Sequence, residues 1–408
     1  MNSLKSIITL PNALLFFSLI AAWPCVFYLM GILPHFKINL IFLLVSLGMY
    51  VTLTKSFNIT LDLGLIVFAQ FFTWLLYSFI FSDSSYFTRL LYITIAFLVV
   101  MADSKNYSRN LIKIFVYWVT LQAVFSFVGF CLSITDILHP LSTFEEMDGR
   151  EGYNFGLFTT NIYIGNFVRP AGFFDEPGAL ACWGVYAIVF NKLFLKNKYV
   201  EYTLLICLTV TLSIAFYIQA FLYYLLFYRN NIKQLLLVVG FSVLSIGIIV
   251  SQDEVFYDAI IGRIQFDKTE GTISGDNRAE LMKNARDVFL SSPVIGVGAR
   301  NLAENYTDIN SNVFTYMASD GIVGQFVSWL PFVYIFFILG RGRPEVRSGV
   351  IVLAVGLLQR PFDFTQLLFP LILYNMIAGL IADSQFDEEE VDEEECDYDY
   401  NLEYIDEE

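Results

Sequence analysis

Two stretches gather side chains able to do chemistry in an otherwise apolar chain. The first is Arg169-Pro170-Ala171-Gly172-Phe173-Phe174-Asp175-Glu176-Pro177-Gly178, a cation and two carboxylates among four turn-forming residues. Helix cannot run through Pro170 to Gly172, so Arg169 belongs on irregular backbone, which survives at membrane depth only where protein or a water-filled cavity covers it. A guanidinium at the centre of a membrane helix costs roughly 2.5 to 3.5 kcal/mol on insertion scales, so something anionic should answer this one. The partner is either Asp175 or Glu176, which would pin the loop, or an anionic ligand gripped by the planar fork. Glu176 likewise has two readings. It is a general base, or it caps the helix that Pro177 begins, where a carboxylate gains about 0.3 to 1 kcal/mol.

The second stretch begins at Asp276-Asn277-Arg278. These residues open an amphipathic helix, capped by Ser274 or Asp276, with Leu281, Ala285, Val288 and Phe289 on one face and Arg278, Lys283 and Arg286 on the rest. Such a helix could equally lie on a membrane with its charges solvated. Ser291-Ser292-Pro293 ends it, and Pro293-Val294-Ile295-Gly296-Val297-Gly298-Ala299-Arg300 follows. The lone GxG lacks the third glycine of a dinucleotide fingerprint, so it is read as a turn that aims Arg300 back toward the site.

Long apolar runs must position these stretches. The chain has 408 residues, 56% of them hydrophobic and 17% aromatic. Its runs of about 20 apolar residues have bilayer-spanning length. About twelve spans are expected, near 12–33, 38–54, 61–81, 88–103, 111–133, 174–194, 200–213, 214–228, 233–250, 312–338, 348–363 and 366–382. The run 200–228 is split at Thr211-Leu212-Ser213 because both of its flanks are basic. Apart from Asp62 and Asp363 near span ends, the spans are read as nearly free of charge.

The expected fold is therefore an all-α, polytopic transmembrane helical bundle over residues 1–382. Two long loops, about 134–173 and 251–311, leave it on one side. Basic residues in the short connections sort thirteen to three between the two faces, which places both termini in the cytoplasm and the long loops outside. The first span is expected to be a retained anchor.

The net charge of -15 misleads at first sight. Residues 383–408 carry 15 Asp and Glu and no Lys or Arg, leaving 24 acidic against 24 basic residues in the body. That tail is expected to be disordered and cytoplasmic, and a neutral body gives no footprint for nucleic acid. Five cysteines form no CxxC pair, and His35 and His139 lack metal-ligand spacing, so neither a metal site nor a disulfide framework is expected.

With these elements in place, the R-P-A-G-F-F-D-E-P-G segment resembles the O-antigen polymerase family of bacterial surface-polysaccharide polymerases and its ligase relatives. Their long outer loop carries Arg-x-x-Gly-x-Phe-x-Glu-Pro-Gly. Three further features agree in order: a polar Thr211-Leu212-Ser213 between short spans, Arg278 heading a helix, and Pro293 to Gly298 followed by Asn312 to Gly324. The ligase relatives place a histidine just before the span that starts near Asn312. This chain has Ser311-Asn312 there, which points to polymerase over ligase and leaves the base to a carboxylate.

The resemblance implies a bundle similar to C-type glycosyltransferase folds in the bacterial inner membrane, transferring a growing glycan from undecaprenyl diphosphate to a lipid-linked repeat unit. On that basis Arg169, Arg278, Arg286 and Arg300 would hold the diphosphate, with Glu176 or Asp175 as base. Gly172, Pro177 and Gly178 would shape the motif, with no cofactor or metal. The implied partners are undecaprenyl-diphosphate-linked glycans, membrane lipids, a chain-length regulator and a flippase, with no nucleic acid. A flippase or transporter, a non-catalytic export subunit and a ligase relative are the competing expectations.

Overall fold

The computed structural model describes residues 60–102, 108–135, 137–145, 151–161, 163–164, 167–229, 266–267, 272–273, 278–306, 309, 312–359 and 366–384, with a few isolated positions elsewhere. The expected spans 12–33, 38–54 and 233–250, and the acidic tail beyond residue 384, lie outside the described residues, as does Asp363.

The described chain is mostly helical. Its helices are α1 (Leu61–Phe81), α2 (Ser85–Ala102), α3 (Ser108–Ile134), α4 (Pro177–Phe190), α5 (Lys198–Cys207), α6 (Ile214–Phe227), α7 (Arg278–Ser291), α8 (Ala299–Asn305), α9 (Phe314–Tyr334), α10 (Pro344–Gln359) and α11 (Leu368–Ser384). Among the described residues four helical segments are long and apolar enough to cross a membrane: Leu61–Phe81, Asn110–Ile134, Pro177–Leu195 and Phe314–Leu339. Shorter apolar helices pack with them, and the chain is a membrane protein by this criterion.

The core follows from composition. Helix α4 is apolar on every side, and all but one of its residues are buried, so it runs through the middle of the bundle between α3, α6 and α10. Pro177 sits in its first turn, where a missing N–H costs nothing. At its far end a π-helical turn (Asn191–Leu195) leads to Lys196 with left-handed backbone. Asn191 and Asn197 bond each other across this bend, and Asn197 caps α5 by accepting from the N–H groups of Tyr199 and Val200.

The division of the run 200–228 is decided by Glu201. Its Oε1 accepts from the hydroxyls of Tyr223 and Tyr228, each at 2.6 Å. In one straight helix Glu201 and Tyr223 would stand about 33 Å apart at 1.5 Å per residue, so α5 and α6 must fold back on each other. The turn is a 3-10 segment (Leu208–Thr211) followed by Leu212 in the left-handed region, φ 48°.

Three expectations are corrected. The first long loop adds short strands to a fold expected to be all-α. Strands β1 (Ser142–Glu145), β2 (Glu151–Asn154) and β3 (Thr159–Thr160) form an antiparallel sheet in that order, and β4 (Tyr163–Ile164) pairs with β5 (Phe167–Val168). In the second loop β6 (Phe266–Asp267) pairs with β7 (Thr272–Ile273). Next, the span at 312–338 is not one continuous helix, because Gly321 has φ 65° and ψ -171° and breaks α9. Finally, the spans are not free of charge: Arg89, Glu201 and Asp320 are all buried inside helices.

Side-chain bridges sort the helix ends into two sets. At one end, Tyr334 donates to Asp62, Lys192 to Tyr228, and Arg343 to the carbonyl of Leu380. At the other end lie the α1–α2 turn, the first loop, the 211–213 turn and the approach to α9. This second end is the loop end.

Candidate functional site

Short strand β3 braces the arginine motif. Ala171 donates to the carbonyl of Thr159, Thr159 donates to that of Gly172, and the Thr160 hydroxyl donates to the carbonyl of Arg169. Gly172 is at φ +63°, and a Cβ there would fall 3.1 Å from Oε1 and 3.3 Å from Cβ of Gln122 on α3. Glycine is what lets the loop lie flat on α3. Phe174 is fully buried against Trp118, ring centroids 5.4 Å apart, so it anchors the loop and presents no surface to a sugar.

Arg169 is 7% exposed. Its guanidinium reaches across to the end of the 3-10 turn, donating to the carbonyl of Thr211 from Nε at 3.2 Å and from Nη2 at 3.0 Å, and to that of Leu212 at 3.3 Å. Carbonyls at the end of a helical segment lack intrahelical donors and carry partial negative charge. A guanidinium is well matched to them, with its fork closing on the turn from two nitrogens. The first motif and Thr211-Leu212-Ser213 are thus physically joined, although 42 residues separate them.

Both carboxylates of the motif are half-buried. Glu176 occupies the N-cap position of α4 with extended backbone, φ -151° and ψ 160°, and its carbonyl accepts from Ala179 and Leu180. Its side chain makes no capping hydrogen bond, so what it gives the helix from this position is the charge of a carboxylate near the positive end. Pro177 is buried and Gly178 half-buried beneath it.

In the second loop α7 forms as the sequence pattern requires. Ala285, Val288 and Phe289 are buried with Leu302, Ile309 and Ala318, so its apolar face packs on α8 and α9 and not on lipid. Lys283 and Arg286 are exposed. Arg278 starts the helix, and its side chain lies outside the described residues, as do Ser274 and Asp276.

The glycine-rich turn also forms, but its target differs from the one expected. Val297 and Gly298 donate to the carbonyls of Ala318 and Ser319, while Ile322 and Val323 donate to those of Pro293 and Val294. Segment 293–298 therefore fills the break in α9 and satisfies the backbone groups that the break releases. The two backbones touch: a Cβ on Gly296 would lie 2.2 Å from the carbonyl oxygen of Ser319, and one on Gly321 would lie 2.3 Å from that of Val294. Arg300 is not aimed inward. Its side chain is 65% exposed and pairs with Glu304 at 2.7 Å, one helical turn on.

Under this turn lies a charged group that the motifs do not announce. Arg89 on α2 and Asp320 on α9 form an ion pair at 2.7 Å with side chains 2% and 3% exposed. Tyr86 donates to the second carboxylate oxygen at 2.9 Å, Tyr77 donates to the Asp320 carbonyl at 2.7 Å, and the guanidinium lies 4.5 Å from the Trp74 ring centroid. A sequence signal existed. Arg89 is the one cation of α2 and Asp320 the one anion of α9, and single opposite charges in two apolar spans answer each other's desolvation.

Among the described residues no group of three or more His, Cys, Asp or Glu is placed to hold a metal ion. No family model matches the chain, and no curated protein matches it.

Proposed function

We propose that the protein is a membrane glycan polymerase that transfers a growing polysaccharide from undecaprenyl diphosphate to a lipid-linked repeat unit on the outer face of the inner membrane. One observation carries this reading: the Arg169 fork closes on Thr211 and Leu212, joining two of the stretches the polymerase pattern contains. Of the other three, 293–298 and 312–324 are joined to each other by reciprocal backbone hydrogen bonds, and the helix that Arg278 starts packs on the latter.

The chemistry follows from this arrangement. A lipid diphosphate must be held as it leaves and an acceptor hydroxyl must lose a proton. With Nε and Nη2 committed to carbonyls, Arg169 holds the floor of the site and supplies its charge there. Direct bonding to phosphate oxygens falls to Arg278 and Arg286 of α7, each such bond contributing roughly 1.5 to 3 kcal/mol, while Arg300, turned outward onto Glu304, takes no part. Glu176, or Asp175 beside it, takes the proton. A carboxylate is a weak base toward a sugar hydroxyl, so alignment of donor and acceptor must supply much of the rate.

The transporter reading draws support from the broken helix α9 and the buried Arg89–Asp320 pair, since discontinuous helices with internal charges mark transport sites. Here the break is filled by segment 293–298 and the pair is covered by Tyr77 and Tyr86. Both features are therefore occupied by the protein itself, and polymerase is preferred.

The test is reconstitution of the purified protein with one defined lipid-linked repeat. Polymer longer than a single unit is expected, and Arg169→Ala or Arg278→Ala should leave single repeats while the protein still inserts. Movement of the lipid across the bilayer without polymer would establish the transporter instead.

A further inference from the structure

The sequence motifs run from Arg169 to Gly324, yet the second loop is held in place by the turn between α1 and α2. Helix α8 begins with two N–H groups that have no carbonyl of its own helix to bond. Both are satisfied from outside: Ala299 donates to the Tyr86 hydroxyl at 3.1 Å, and Arg300 donates to Oδ2 of Asp83 at 2.9 Å. Asp83 is 3% exposed, and its Oδ1 accepts from Ser85, which fixes the start of α2. The Tyr86 hydroxyl in turn donates to Asp320, whose other oxygen accepts from Arg89. One continuous chain of hydrogen bonds thus runs from the backbone of the second loop, through the α1–α2 turn, to the buried ion pair.

We infer that Asp83 and Tyr86 are positioning residues of the site: by capping α8 they fix the base of the second loop, and with it the placement of the α7 arginines toward the diphosphate. Helix α7 packs on α8 and on the first half of α9 through a small apolar cluster, and buried Asn312 ties it there by donating to the carbonyl of Leu281 at 3.2 Å. Both of those elements are held by the same network. This inference rests on the polymerase reading.

Small changes to the caps test it in the full-length protein in nanodiscs. Tyr86→Phe keeps the ring stacked on Trp74 and loses both hydroxyl bonds. Asp83→Ala removes both acceptors, and Asp83→Asn keeps one acceptor oxygen. Amide hydrogen exchange over residues 293–305 is expected to rise about tenfold in Tyr86→Phe and Asp83→Ala. Asp83→Asn should fall between these and the parent.

With a defined lipid-linked repeat, kcat should fall about tenfold while KM stays within twofold. Loop placement acts on charge that develops as the diphosphate leaves, and not on ground-state binding. Unchanged exchange in both variants, or faster exchange with unchanged kcat, would overturn the inference. If the parent protein makes no polymer, the polymerase reading falls and with it the catalytic half of the inference. Exchange still decides whether the caps hold the loop.

Discussion

Removing Asp320 should be among the most damaging single substitutions in the described part of the bundle. The Asp320→Ala variant takes away the carboxylate 2.7 Å from the buried Arg89 guanidinium, and breaking a buried pair in this way typically costs about 3 to 5 kcal/mol. The Tyr86 hydroxyl loses its acceptor as well, worth about 1 kcal/mol more. The sum is about 4 to 6 kcal/mol, against total stabilities that commonly lie between about 5 and 15. In lipid or detergent the unfolded reference state finds partial partners for a stranded charge, so the lower end applies. Replacing both charges by apolar residues, Arg89→Met with Asp320→Leu, removes the stranded ion and should recover most of the loss. It should remain short of the parent by about 1 to 2 kcal/mol for the cation–π contact with Trp74. Reversible unfolding in mixed micelles, followed by tryptophan fluorescence, measures all three proteins. A single variant within about 1 kcal/mol of the parent, or a double variant as unstable as the single, would refute the assignment of this pair as a buried, desolvated tie.

Three other outcomes are expected. Arg169→Lys substitutes one ammonium for a fork that bonds the 211–212 carbonyls from two nitrogens, so polymer yield should fall at least tenfold, which a length ladder of the product reports. Full activity in that variant would reduce the contact to simple charge. Gly172→Ala must hold φ +63° and press on Gln122, costing about 1 to 2 kcal/mol. Combining it with Gln122→Ala should return the steric part only, as unfolding midpoints would show.

Burial pushes the Asp83 carboxyl up, but hydrogen bonds from Ser85 and from the Arg300 N–H, with the Arg300 charge, outweigh it and hold the group below the usual carboxylate range. A lowered folded pKa gives stability that is present above the unfolded value of about 3.9 and is lost as pH falls through the folded one. The stability difference between the parent and Asp83→Asn should therefore be flat from pH 8 to 5 and shrink only on acidification below about 4. A difference that changes near neutrality would contradict the cause given.

Local features were the ones legible in the sequence. The hairpin at 211–213 showed because basic residues flank both ends of a run too long for one span. Helix α7 showed because Ala285, Val288 and Phe289 recur at helical spacing, and the structure buries all three. The break in α9 did not show, since Phe314–Leu339 as a whole has the hydropathy of a span and composition cannot reveal that Gly321 takes positive φ. That conformation is imposed by segment 293–298, which lies beyond a sequence window. Arg89 and Asp320 are separated by 231 residues, so no local window pairs them, and only the pattern of one charge in each of two apolar helices points from one to the other. The strands of the first loop are two to four residues long, too short for alternation to register.

The filled break in α9 also bears on how such a site can be rigid without being large. A helix interrupted at membrane depth exposes N–H and C=O groups that lipid cannot satisfy, at several kcal/mol each. Transport proteins leave such groups for the cargo, and the site then changes shape as cargo enters and leaves. In this chain four of them are taken up by 293–298, and the adjoining carboxylate is locked to Arg89 and Tyr86. An element whose backbone is already satisfied gains nothing by rearranging. On the proposed polymerase reading it would serve as a fixed floor for a reaction that depends on holding a lipid diphosphate and a sugar hydroxyl in line. The Arg169 fork does the same for the 3-10 turn, closing with side-chain donors what helix geometry leaves open. Both devices sit at the loop end, so rigidity is concentrated where the two loops leave the bundle.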